Sequence, residues 1–284
     1  MKDKKRDVEL VVVSDVHLGT YGSHAKELLK YLKSIKAETL VLNGDIIDIW
    51  QFKKRYWPKP HMKVVKYIIG LATKGTKVYY VTGNHDETLR RFAGMRLAAL
   101  EITNKISLEL NGKKVWFFHG DVFDSIMHYS KWLARLGAIS YDALIYFNVL
   151  VNYISRLLGK GKVSLSKKIK DNVKTAVKYI NNFEETAAAL AIQKGFDCIV
   201  CGHIHHPEIR EINDLKGNSI LYLNSGDWIE NLSALEFNKG EWRIYRYSDD
   251  AALHSDDTES EQGKSLDDMD NKQIFKEMVN EFHQ

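Results

Sequence analysis

The sequence predicts an α/β protein folded as a four-layer αββα sandwich with a helical insertion over one end. Three observations carry that expectation. Through the first half, short apolar runs alternate with helical patterns, the rhythm of a largely parallel sheet. Later apolar runs are separated by turn residues such as Asn111-Gly112 and Asn238-Lys239-Gly240, which mark hairpins. Metal-binding side chains and glycines stand at the ends of these runs, where open α/β sheets place their sites.

The elements follow in order. Strands are expected near 9–14, 39–43 and 77–82, separated by helices near 24–36 and 61–74. Asn111-Gly112 joins two further strands, 105–110 and 114–118. After 199–201 come strand-like segments at 207–212, 219–223, 232–237 and 241–247, which read as antiparallel. Two sheets packed face to face close such a set.

Between His119 and Gly202 about eighty residues read as helical, an insertion at about 122–195. It is apolar from Trp132 to Leu158 and lysine-rich from Lys160 to Lys178. That pairing suits a phosphorylated amphiphile or an anionic bilayer. A helical hairpin burying its own leucines gives the same pattern. A membrane span at 138–158 is interrupted by Asp142, Asn148, Asn152 and Arg156.

The domain is expected to occupy residues 1–248, followed by an acidic tail at 249–284. Polar residues to Asp268 read as disordered, and Ile274, Phe275, Met278, Val279 and Phe282 form one face of a short helix. The chain carries 41 Lys and Arg against 37 Asp and Glu, a net charge of +4. The tail holds eleven acids and three bases, a net −8 that leaves +12 on the body. Such a body favours an anionic substrate or surface, although a solvated basic face gives the same sum. The charged start, Met1–Asp7, precedes an apolar run too short for a signal-peptide core, so a cytoplasmic chain is expected. The two cysteines, Cys198 and Cys201, are three residues apart in a strand, so they face opposite sides and read as buried packing.

Five blocks carry the chemistry: Asp15-Val16-His17, Gly44-Asp45, Gly83-Asn84-His85-Asp86, His119-Gly120-Asp121 and Gly202-His203-Ile204-His205. Imidazole, carboxylate and amide oxygen without thiolate suit Mn²⁺, Fe²⁺ or Zn²⁺. So many donors require two ions. A carboxylate can clamp ions about 3.5–4 Å apart, the spacing that serves in-line attack at phosphorus. His24, His61 and His206 stand outside the blocks and read as ordinary residues.

In order, spacing and residue type, these blocks resemble the calcineurin-like metallophosphoesterase superfamily, over about residues 9–245. The resemblance implies the αββα sandwich and a dinuclear hydrolase. It assigns Asp15, His17, Asp45 and His205 to one ion, and Asp45, Asn84, His119 and His203 to the other, with Asp45 as bridge. It also implies substrate contacts from Asn84, His85 and His203. His85 is then the candidate for protonating the leaving group, and Asp86 the residue that orients it. Asp48 and Asp121 read as residues that position ligands or cap turns.

Within the superfamily the sequence is most similar to the UDP-2,3-diacylglucosamine diphosphatases of lipid A biosynthesis. Ser14-Asp15-Val16-His17-Leu18-Gly19, the long apolar and basic insertion, and an otherwise compact domain carry that likeness. It implies an anionic nucleotide-linked glycolipid as substrate, Mn²⁺ as the metal, and an acidic substrate contact at Asp124. Peripheral contact with the cytoplasmic face of the inner membrane follows, with no stable nucleic-acid partner. Members of that family carry arginine where this chain has His85, and Asn172–Lys178 is the region to test for further substrate contacts. A general phosphodiesterase, nuclease or phosphomonoesterase would use the same ions, and a non-catalytic scaffold would have lost ligands.

Overall fold

A computed structural model describes residues 5–50, 56–123, 180, 183–214 and 216–254. Most of the insertion, with Asp124 and Asn172–Lys178, lies outside the described residues, as does nearly all of the acidic tail. The chain divides into two compact units, Met1–Asp249 and Asp250–Gln284. In the second, the single turn Ala251–His254 is described.

In the first unit, β1 (Arg6–Val13), β2 (Ile35–Asn43) and β3 (Lys77–Val81) run parallel. Consecutive residues Leu10, Val11, Val12 and Val13 are all buried, as are Leu40, Val41 and Leu42. Burial of both parities means that both faces of this sheet are covered. On one face lie α1 (Ala25–Ser34) and α2 (Lys59–Thr73). Leu28, Leu29 and Leu32 make the buried stripe of α1, and Val64, Ile68 and Ala72 that of α2, which opens on Pro58 and Pro60.

The seven-stranded sheet has the order β12-β11-β1-β2-β3-β5-β4, completed by β4 (Arg96–Leu97), β5 (Leu100–Thr103), β11 (Ser233–Asn238) and β12 (Glu241–Arg246). The five-stranded sheet has the order β6-β7-β8-β10-β9. Its members are β6 (Ile106–Leu110), β7 (Lys113–Phe117), β8 (Cys198–Cys201), β9 (Glu208–Asn213) and β10 (Ser219–Asn224).

Leu10, Val12, Val41 and Val81 meet Val115, Phe117, Cys198, Val200 and Leu223 between the sheets. On the far side of the smaller sheet, Trp116, Ile199, Cys201 and Tyr222 pack on Ala187, Ala188 and Ala191 of α3, residues 183–193. The four layers expected from the sequence are present. Cys198 and Cys201 fall in different clusters, both buried and free, because odd spacing in a strand reverses the face.

Two expectations are corrected. The second half is mixed, because β8 runs parallel to both β7 and β10 while β9 sits antiparallel at the edge. The hairpin β11–β12 leaves this sheet and joins β1 in the other. The pair β4–β5 was not expected, since β4 has only two exposed residues and β5 only four, too short for their pattern to stand out.

One polar contact ties β11 to β1, α1 and β12 outside the apolar layers. Glu236 is buried and accepts hydrogen bonds from Arg6 (2.9 and 3.1 Å), the Tyr31 hydroxyl (2.9 Å) and Arg243 (2.8 Å). Tyr31 in turn stacks between Tyr245 and Trp228, with ring centroids at 4.1 and 5.5 Å. Glu236→Ala should lower stability by about 2–3 kcal/mol, less than a fully buried pair because both arginines keep solvent contact. Tyr31→Phe should cost about 1 kcal/mol, the worth of one hydrogen bond. Urea denaturation of both variants checks the order of these losses.

Candidate metal centre

The first two ligand blocks leave their strands together. Beyond β1 and β2 the ladder continues through backbone bonds: Asp15 N to Gly44 O (3.1 Å), Val16 N and His17 N to Asp45 O (3.0 and 2.9 Å), and Leu18 N to Ile46 O (2.9 Å). Within these stitched turns and the β8–β9 loop, several residues take left-handed backbone angles. They are Asp15 (φ 52°), His17 (50°), Asp45 (54°), His203 (70°) and His205 (54°). Each such angle costs about 1–3 kcal/mol in a residue other than glycine. All five are expected ligands, so the strain gathers where side chains must converge.

They do converge. Ligand atoms of Asp15, His17 and His205 lie within 4.8 Å of one another, and so do those of Asp45, His119 and His203. Asp45 stands between the sets: its Oδ2 is 3.1 Å from His119 Nε2 and 4.0 Å from His17 Nε2. His205 Nε2 is 3.3 Å from Asp15 Oδ1. Space here is made by glycine, since a Cβ on Gly83 would overlap the Asp45 carboxylate and one on Gly44 would overlap the His119 ring.

Each of three imidazoles is pinned through its other nitrogen. His119 Nδ1 donates to Asn43 O (2.9 Å), His17 Nδ1 meets Asp48 Oδ2 (3.2 Å), and His205 Nδ1 faces Asp227 Oδ2 (3.5 Å). Such outer contacts leave Nε2 for a metal and fix the ring plane. His17 Nε2, His119 Nε2 and Asn84 Oδ1 are buried without a hydrogen-bond partner. Orphaned polar atoms beside buried carboxylates fit divalent cations, and the residues present are the right donors for two.

The carboxylates and imidazoles of the centre shift one another's ionisation. Burial alone would lower the His119 pKa, but the nearby carboxylates of Asp45, Asp15 and Asp121 together outweigh it and hold the imidazole well above its ordinary value. Burial opposes ionisation of Asp45 too, and His119 overcomes it, keeping the carboxyl well below its usual range. His205, against the same opposition from burial, is pushed up to about 10 by Asp15 and Asp227. Cation binding therefore displaces protons.

His85 lies at the edge of the centre, its ring 4.6 Å from that of His17 and 4.4 Å from that of Trp50. The expectation that Asp86 orients it is corrected. Asp86 accepts from Gly83 N (2.6 Å), Tyr80 Oη (2.7 Å) and Ile46 N (3.0 Å), so it braces the turn that carries Asn84. His85 Nδ1 instead meets Asp48 Oδ2 at 2.9 Å, the oxygen that also holds His17. Burial would lower the His85 pKa, but that bond and the charges of Asp45 and Asp48 together raise it.

Other residues settle as follows. Asp121 accepts from Arg90 (2.6 Å), which also donates to Gly83 O (3.2 Å) and so straps the third block to the fourth. His61 is buried, accepts from Gly19 N at 2.9 Å and is lowered by burial to about 4, a neutral structural group. His24 lies 3.6 Å from Glu27, and His206 3.8 Å from Glu184. Asp227 was missed by sequence reasoning. The signal was there, since Ser225-Gly226-Asp227 follows the apolar run 220–223 in the manner of the ligand blocks. Trp50 had no such signal.

Residues 8–207 match the family model of the calcineurin-like phosphoesterases. The UDP-2,3-diacylglucosamine hydrolase of Blochmanniella pennsylvanica (strain BPEN) is 25% identical over 244 residues, 82% of this chain and 93% of its own length. Its namesake from Aeromonas salmonicida (strain A449) is 24% identical over 237 residues, 82% of this chain and 91% of its own length. An archaeal phosphodiesterase structure aligns over 84% of this chain and 98% of its own at 15% identity, with a TM-score of 0.44, too slight a likeness to carry weight. Five ligand blocks gathered at the ends of two facing sheets accord with the family match across most of the sequence: the chain belongs to the calcineurin-like phosphoesterases and is a metal-dependent phosphoester hydrolase.

Proposed function

We propose that the chain hydrolyses the pyrophosphate bridge of UDP-2,3-diacylglucosamine, releasing UMP and 2,3-diacylglucosamine 1-phosphate. The reading is supported chiefly by relatives of that name matched over more than nine-tenths of their own length, a reach that extends past the ligand blocks. An insertion with an apolar arm and a lysine-rich one suits acyl chains beside a phosphorylated head.

In this reading Asp15, His17, Asp45 and His205 hold one divalent ion, and Asp45, Asn84, His119 and His203 the other. Mn²⁺ is the first choice, with Fe²⁺ and Zn²⁺ suited to the same donors. When bound, such a pair activates a water and neutralises charge on the phosphoryl oxygens. His85, held by Asp48 at Nδ1, keeps Nε2 for the leaving phosphate, and its raised pKa favours the form that can donate a proton. Asn84 and His203 complete the phosphate contacts, and Asp124, outside the described residues, is the proposed acidic substrate contact.

The deciding assay is mass-spectrometric detection of UMP from UDP-2,3-diacylglucosamine with added Mn²⁺. Turnover of bis(4-nitrophenyl) phosphate without UMP release would leave a general phosphodiesterase. Asp45→Ala should lose both bound metal, read by plasma mass spectrometry, and turnover; His85→Ala should keep its metal and lose about 10²–10⁴-fold in rate. An active, metal-depleted Asp45 variant would end the two-ion reading.

Metal-free protein has its own pH dependence. His205 titrates near 10 in the fold against an ordinary 6.5, so its contribution is complete below 6.5 and fades as pH rises towards 10. Asp15 and Asp227 are lowered, with burial opposing and His205 prevailing, so their contribution is present above 3.8 and fades as pH falls through their folded values. After EDTA treatment the thermal midpoint should peak between about pH 4 and 6.5 and decline towards pH 9. His205→Ala should flatten that decline; an unaltered slope would show that this pairing does not set it.

A further inference from the structure

The crossover from β10 to β11, residues 225–232, carries the chain from the smaller sheet to the larger and contains none of the metal donors assigned above. It is nevertheless built onto two of them. Ser225 Oγ lies 2.7 Å from Ser14 Oγ, and the Ser14 hydroxyl donates to Gly226 O (3.0 Å). Gly226 has φ 72°, and a Cβ there would overlap the Ser233 hydroxyl. Ser233 N donates to Asp227 O (3.0 Å), and Trp228 N to Asp15 O (3.1 Å). The loop therefore holds the backbone of Asp15 directly.

Its grip on His205 is closer. Asp227 is fully buried, and its two oxygens have different partners. Oδ1 accepts the amides of Ile229 (2.8 Å), Glu230 (2.6 Å) and Asn231 (3.0 Å). Oδ2 accepts from Asn231 Nδ2 (2.7 Å) and lies 3.5 Å from His205 Nδ1. Asn231 Nδ2 gives its second proton to His205 O (2.9 Å). One Asp–Asn pair thus holds both the ring and the carbonyl of a histidine whose backbone sits at φ 54°. A carboxylate oxygen at Nδ1 keeps the proton there and leaves the lone pair on Nε2, the nitrogen 3.3 Å from Asp15 Oδ1. The other donor set is fixed elsewhere. Asn43 O of β2 holds His119, and Asp86 braces the turn that carries Asn84.

We infer that Asp227 is a positioning residue for one ion alone: with Asn231 it fixes the tautomer and the carbonyl of His205, so the ion shared by Asp15, His17 and His205 is lost separately from its neighbour. The inference rests on the two-ion assignment and stands whichever phosphoester is cleaved. It predicts what Asp227→Asn does. Three amides converge on Oδ1 and require an oxygen, so the new amide nitrogen takes the place of Oδ2. There it faces two donors, Asn231 Nδ2 and His205 Nδ1. The His205 proton moves to Nε2, which closes that nitrogen to a cation.

The full chain, stripped with EDTA, is titrated with Mn²⁺ while free and bound ions are followed by electron paramagnetic resonance. The unaltered protein should bind two ions as a spin-coupled pair, since one Asp45 carboxylate holds them close. In Asp227→Asn one dissociation constant should rise roughly 10–100-fold while the other holds. At intermediate Mn²⁺ its spectrum should be that of an isolated ion. Asn231→Ala should weaken the same ion by a smaller factor. Ser225→Ala, which loosens the crossover without touching His205, should keep both constants even where it lowers the thermal midpoint, so a folding defect is told apart from lost positioning. If circular dichroism shows Asp227→Asn unfolded, Asn231→Ala decides alone. Two unchanged constants, or two constants raised together, would overturn the inference. Two ions in the unaltered protein keep that failure separate from failure of the two-ion assignment; a single ion there ends both.

Discussion

Asp45 is an ionised carboxylate kept from water where the two sheets meet, so neighbours must supply what solvent cannot. They do so from three directions. The His85 amide donates to Oδ1 at 2.8 Å, and His119 and His17 bring nitrogen to Oδ2. Its own carbonyl takes two amides from the neighbouring turn. Much else in the centre follows from this demand. Gly44 and Gly83 leave room for the carboxylate and the His119 ring, and the left-handed angles at Asp15 and His17 turn their side chains towards it.

Asp48 creates a second dependence. A single oxygen, Oδ2, serves both His17 and His85, one a metal donor and the other the group facing the leaving phosphate in the proposed reaction. Orientation of the metal and orientation of the acid are therefore set by the same atom. Burial would favour a neutral Asp48, yet the two imidazoles hold it well below the usual carboxylate range. A carboxylate so anchored cannot drift towards one histidine without releasing the other.

What the sequence made legible is the part written as local grammar. An apolar run ending in Gly-Asp, Asp-x-His or His-x-His states both the strand and the direction in which the chain leaves it, so the ligands could be named before their distances were known. The exchange of roles between Asp48 and Asp86 could not be. Asp86 is next to His85 in the chain, but adjacent residues in a turn point apart, and the partner arrives from another strand end. Asp227 follows an apolar run as the ligand blocks do, but its partner His205 belongs to a different strand end, so the pairing was not written locally. The parallel course of β8 and β10 was hidden for a related reason: the strand between them in sequence, β9, lies outside them in space.

The stitched turns of β1 and β2 also set an order of assembly. Asp15, His17, Asp45 and Asp48 come together through neighbouring parallel strands, whereas His203 reaches Asp15 across 188 residues of chain. Closing a loop of that length is slow compared with forming the local pair. Until β8 docks, the early half of the centre holds its carboxylates without the imidazoles of His203 and His205, and like charges resist the approach. The loop after β8 brings those imidazoles to the carboxylates, with His203 N donating to Asp15 and His205 Nε2 3.3 Å from it.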